Sequence, residues 1–171
     1  MRASKFIAVF FFFTFCVSSV NAQNSYDGTK ISGQIKQIID KILTDTFINI
    51  STTDQAIIEP DANKVINRFI YLSKVSELCE LSKHPNPIIR CYAFEGLYYK
   101  KYIQLVKVLE ERSEDIVLVP TKMGCGTSSD EVIFIMLNLI KSNRVRVGVR
   151  MSKNDRDKLI KILQHFFPII E

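Results

Sequence analysis

From residue 31 onward, apolar positions recur at helical spacing. Ile31, Ile35, Ile38, Ile39 and Ile42 fall at i, i+4, i+7, i+8 and i+11, with Lys36, Gln37, Asp40 and Lys41 on the opposite side, which predicts an amphipathic first helix. A β-branched, polar stretch from Thr44 to Thr53 interrupts the pattern. Asp61, after Pro60, caps a second helical region carrying Val65, Ile66, Phe69, Ile70 and Leu72, which runs on or bends to Leu81. His84-Pro85-Asn86-Pro87 then stops the helix, since proline disfavours helix in the residue before it and withholds a backbone donor. Between Ile88 and Lys100 one stripe holds Ile89, Tyr92, Ala93, Gly96 and Leu97, and a second holds Cys91, Phe94 and Tyr98. A helix that is apolar on two sides belongs at the centre of the fold.

A further helix is predicted over 102 to 111, ended by the charged run Glu110 to Asp115. Ile116 to Val119 is a short apolar run, and Pro120 leads into a predicted loop, Thr121 to Asp130. Glu131 to Lys141 is apolar almost all round, which fits a buried helix or a buried strand, and helix is the preferred reading. Arg144 to Arg150 alternates Val145, Val147 and Val149 with arginines, the period of a short β-ribbon. Ser152 caps a last helix, with Asp155 at capping-box distance and Leu159, Ile162, Leu163 and Phe166 as its stripe. The pattern predicts an all-α fold of about six helices, with a short ribbon near 144–150.

The first 22 residues read as a secretory signal peptide. Arg2 and Lys5 precede an apolar run of twelve residues, Phe6 to Val17, too short for the roughly 20 residues that cross a bilayer. Val20 and Ala22 supply the small-residue cleavage pattern, so Gln23 is expected to begin the mature chain. An uncleaved anchor, or a lipoprotein acylated at Cys16, are the competing readings, and Phe15 before the cysteine argues against the second. The chain is therefore expected to be exported, to the periplasm or the outside. Its residues 23–171 are expected to form a single helical domain with no transmembrane segment. Of 171 residues, 47% are apolar and 24% charged, the proportions of an ordinary folded protein. With the leader removed, 21 basic residues face 18 acidic ones, and a net charge of +3 lends no support to a nucleic-acid role. A core of this size requires no cofactor or metal for stability.

Ile89-Arg90-Cys91-Tyr92-Ala93-Phe94-Glu95-Gly96-Leu97, after the Pro-Asn-Pro turn ending at Pro87, resembles the second helix of a HEAT-type repeat. In that family a turn with Asp and Pro precedes Val-Arg-x-x-Ala-x-x-Ala-Leu; here Ile89 replaces Val and Gly96 replaces the second Ala. Small residues at Ala93 and Gly96 would let a paired helix, Val75 to Ser82, approach closely, and Arg90 would brace the turn. The resemblance covers about residues 74 to 111, and no second copy follows at the repeat period of 40 to 47 residues. It implies an irregular HEAT-like array that binds another protein on a helical surface.

Candidate chemistry is sparse. The mature cysteines are Cys79, Cys91 and Cys125. In an exported protein a Cys91–Cys125 disulfide is the favoured pairing and would contribute about 3 to 4 kcal/mol on the chain-entropy model; all three thiols reduced is the alternative. A small thiol-dependent hydrolase would take Cys125, between Gly124 and Gly126, as nucleophile and His84 as base. His84 is equally explained as a turn residue, and no serine-hydrolase, metal-ligand or phosphate-loop pattern is present. Residues 141 to 171 hold eight basic and three acidic residues, so Arg144, Arg146 and Arg150 could meet an acidic partner or an anionic envelope surface, although a solvated helix face accounts for them as well. Among the aromatic residues of the central helix and the turn after it, Tyr99 and Tyr102 are the expected exposed members. The expectation drawn from the whole is a non-catalytic, exported protein-binding module, with an inhibitor or immunity-type protein as a specific version.

Overall fold

The computed structural model describes residues 25–44, 47–49, 60–123, 126–142 and 152–167. Among them the elements run, in order, as a 3-10 turn at Gly28–Lys30, α1 (Gly33–Ile42), β1 (Ile48–Asn49), α2 (Pro60–Leu72), α3 (Val75–Leu81), α4 (Pro87–Tyr99), α5 (Leu105–Glu111), β2 (Leu118–Met123), β3 (Gly126–Glu131), α6 (Val132–Ser142) and α7 (Lys153–Phe166). The fold is mainly helical, as the periodicity predicts, and it carries a small sheet. The expected cleavage site at Ala22 and Gln23, Cys125, and the ribbon at Arg144, Arg146 and Arg150 lie outside the described residues.

The elements match the predicted stripes closely. Ile35, Ile38, Ile39 and Ile42 of α1 are all buried. The second helical region bends: Ser73 Oγ donates to the Phe69 carbonyl at 2.7 Å, and Glu77 restarts the helix by accepting the Lys74 N–H at 2.8 Å. α2 begins at Pro60 rather than after Asp61, so Asp61 stands inside the first turn. Asn86 caps α4 by accepting the Ile88 N–H, and Pro87 takes the first helical position, where its missing donor costs nothing. Ser152 caps α7 through Asp155, as its spacing predicts.

α4 is the hub, packed against α2, α3, α5, α6 and β2. Ile89, Ala93, Phe94 and Leu97 are fully buried on it, and so are Phe69 of α2, Leu78 of α3 and Leu109 of α5. At Gly96 a Cβ would stand 2.9 Å from Leu78 Cδ2, closer than real side chains come. Glycine is therefore what permits α3 to lie against α4 at that point. α6 is the all-apolar helix, with Val132, Ile133, Met136, Leu137 and Ile140 buried.

The sheet has the order β1-β2-β3, with β1 parallel to β2 and β2 antiparallel to β3. Here the sequence expectation fails, since residues 121 to 130 form a ribbon rather than a loop. The strand signal is absent because Gly126 to Ser129 are exposed and no apolar alternation marks them. What holds β3 is backbone pairing with β2, plus the Thr121 hydroxyl donating to Asp130 Oδ2 at 2.8 Å. The fifth helix also starts later than expected. Lys101 takes a positive φ of 54°, and the N–H groups of Lys101 and Tyr102 close on the carbonyls of Tyr98 and Leu97, a Schellman ending that turns the chain before α5.

Candidate functional site

The motif residues of α4 serve the fold. Arg90 is buried, and all three of its guanidinium nitrogens donate: Nε and Nη2 to the two carboxylate oxygens of Asp115 at 2.7 and 2.8 Å, and Nη1 to the carbonyls of His84 and Pro85. A planar fork that grips a carboxylate and a turn together is arginine chemistry that lysine cannot reproduce. Asp115 also accepts, through its carbonyl, the N–H of Ile133 in α6. Arg90 thus braces the turn, as expected, and additionally ties α4 to the segment that leads into the sheet. Ile89, Ala93, Gly96 and Leu97 are all buried, which leaves the motif no surface of its own.

The residues of the hydrolase reading are differently placed. His84 Nδ1 accepts the Asn86 N–H at 3.0 Å, and the ring stands edge-on to Tyr26 with centroids 4.7 Å apart. Burial holds the imidazole below its ordinary range, and the nearby Arg90 adds to the depression. Its basic nitrogen is already occupied by the turn. Cys91 is buried with a free thiol, and burial pushes its proton affinity far up, so it is an inert packing group in this arrangement. Cys79 is half-buried and free, beside the Tyr102 hydroxyl.

The surface that stands out is the end of the molecule where α2 and α4 finish together. Lys100 Nζ donates to the Tyr71 carbonyl across the two helix ends. Tyr71 is 81% exposed, Tyr99 50% and Ile103 73%. Tyr99 is where the sequence places an exposed aromatic. Tyr102 is only half-buried, packed against the core with its hydroxyl donating to Gln104 Oε1. Tyr98 lies beneath, its ring edge-on to Tyr99 at 5.9 Å. One turn back from Tyr99, Glu95 is partly buried with no hydrogen-bond or ion-pair partner among the described residues, and burial raises its carboxyl to about 7. Burial and the nearby Glu95 together hold the Tyr99 hydroxyl above its ordinary range.

Sequence reasoning missed Tyr71, Glu95 and Ile103. Tyr71 had a signal, since it falls off the apolar stripe of α2, and an aromatic off the stripe of an amphipathic helix faces water. Ile103 had none, because the turn at Lys101 removes it from the helix whose periodicity seemed to bury it. Among the described residues no cluster of His, Cys, Asp or Glu could hold a metal ion, and no helix is long and apolar enough to cross a membrane. Compared with known proteins, the chain matches no family model, no curated protein and no solved structure.

Proposed function

We propose that the chain is an exported, non-catalytic protein-binding module, and that it docks a partner protein through the end formed by Tyr71, Tyr99 and Ile103. The observation that carries this reading is that Tyr71 and Tyr99, on two helices joined at their ends, and Ile103, in the turn that follows the second of them, are exposed to water. Single exposed apolar residues are ordinary, whereas grouped ones rimmed by polar side chains mark interaction sites. Tyrosine offers large, rigid contact area with a polar tip, which is why it dominates binding hot spots. Lys100 and Lys101 beside the group add a cationic rim. The α3–α4 hairpin beneath, with its buried Arg90 brace, supplies the rigid support that a HEAT-like unit would give. An inhibitor or immunity-type role is the specific form of this proposal, supported by the leader and the size of the chain.

The test uses the mature chain as bait in envelope and culture extracts of the cells that produce it. Tyr99→Ala with Ile103→Ser is expected to lose the partner recovered by the wild type, at unchanged melting temperature. Undiminished recovery by the variant would count against this surface.

A further inference from the structure

Helix α4 comes to the surface along a single stripe. Every residue from Ile88 to Tyr98 is buried except Glu95, which is partly exposed, and Tyr99, four residues further on, is half exposed. Residues four apart share one face of a helix, and helical side chains lean toward the N-terminus, so Tyr99 covers the turn on which Glu95 stands. The two are close enough for the Glu95 charge to act on the Tyr99 hydroxyl. One turn in the other direction the stripe ends in Cys91, which is buried. The way from the Glu95 carboxyl to water therefore lies on the Tyr99 side.

Nothing described in the fold compensates that carboxyl. The elements packed against α4 are α2, α3, α5, α6 and β2. The cations they carry are Lys64 and Arg68 on α2, Lys107 on α5, Lys122 on β2 and Lys141 on α6, and their acids are Glu77 and Glu80 on α3 with Glu110 and Glu111 on α5. None of these, nor Tyr71 or Cys79, acts on Glu95, where burial alone raises the carboxyl to about 7. Lys100, beside Tyr99, donates to the Tyr71 carbonyl instead.

We propose that the tyrosine end is proton-gated: a partner seated on Tyr99 closes the way from Glu95 to water, so docking takes up one proton from solvent at Glu95 and tightens as pH falls. This rests on the docking reading above and adds its regulation. Completing the burial penalises the ionised carboxyl far more than the neutral acid. Where Glu95 is already protonated, docking costs nothing at this group. As pH rises through the free chain's value, each docking event must also draw a proton from water, and the affinity drops.

The experiment has one arm without a partner and one with it. In the first, NMR follows the mature chain, labelled at glutamate carboxyls and tyrosine rings, from pH 5 to pH 8.5. The Glu95 signal is expected to titrate with a midpoint near 7 and to carry the Tyr99 ring signal with it, and Glu95→Gln is expected to silence both. In the second, benzoylphenylalanine replaces Ile103, which leaves Glu95 and Tyr99 in place, and the chain is irradiated in envelope extract buffered at pH 6 and at pH 8. The crosslink is expected to be at least about threefold stronger at pH 6. Glu95→Gln is expected to bring the yield at pH 8 up to that at pH 6, with circular dichroism the same at both values. A Glu95 midpoint at the ordinary 4.5, equal crosslinking at the two pH values, stronger crosslinking at pH 8, or a difference that survives Glu95→Gln would each overturn the gate and leave the docking reading standing. No crosslink at either pH would overturn the docking reading and the gate with it.

Discussion

At the residue scale, Arg90 and Glu95 sit five residues apart on the same helix and represent the two fates of a charge inside a fold. Arg90 is buried and fully partnered, so removing it strands Asp115 and two turn carbonyls. Arg90→Ala is expected to cost about 3 to 5 kcal/mol, the usual consequence of breaking a buried pair, and Arg90→Lys to recover only part of it because a lysine cannot bond both oxygens and the turn. Urea denaturation of the two variants measures both values. Glu95 has no described partner and burial raises its carboxyl from 4.5 to about 7. Between those values the folded chain binds the proton more tightly than the unfolded chain, so this group makes stability fall as pH rises through that window. Glu95→Gln is expected to remove that fall and to stabilise the protein at pH 8 by about 2 to 3 kcal/mol, with little effect at pH 4. Urea midpoints for wild type and variant across pH 4 to 8 check it; parallel curves would mean that Glu95 ionises freely.

At the element scale, the N-terminal segment is held by two carboxylates of α3. Glu80 Oε1 accepts the Asp27 N–H at 2.8 Å while Lys30 and Lys83 approach its other oxygen, and Glu77 accepts the N–H groups of Ser32 and Lys74. Burial works to raise both carboxyls, but the hydrogen bonds to Glu77, and the hydrogen bond and lysines at Glu80, outweigh it and hold both below the ordinary range. A depressed carboxyl contributes stability that is present above its unfolded value of 4.5 and lost as pH falls below it through the folded value. Amide hydrogen exchange should therefore show the Asp27 and Ser32 amides opening as pH drops below 4.5, and Glu77→Gln with Glu80→Gln should speed their exchange already at pH 7. This clamp was invisible in the sequence, where Glu77 and Glu80 read as the polar side of a helix. Long-range partners leave no mark on a helical period. The helices themselves were legible because each buries one stripe, and α4 was recognised as central because it buries two. The ribbon was not, because β3 is polar and exposed and is held by pairing that only the fold supplies.

At the scale of the whole molecule, the chain is a helical array around α4 with a small sheet, and among the described residues the titratable groups that meet hold the fold together. His84 serves a turn, Cys91 serves the core and Arg90 serves a junction. The exposed apolar surface is what remains, and only part of it was legible. Tyr99 follows from its position off the stripes of α4, whereas the company it keeps, Tyr71 and Ile103, depends on two helix ends meeting and on the left-handed turn at Lys101. If the proposed binding role holds, partner capture is expected to survive conservative replacement of buried groups and to be lost when this one end is altered. The direct measurement is site-specific photocrosslinking, with benzoylphenylalanine placed at Tyr99 and, in a second preparation, at the exposed Lys36 on α1, in cells that produce the protein. The account predicts one discrete crosslinked protein from position 99 and none from position 36. The same products from both positions, or none from position 99, would contradict it.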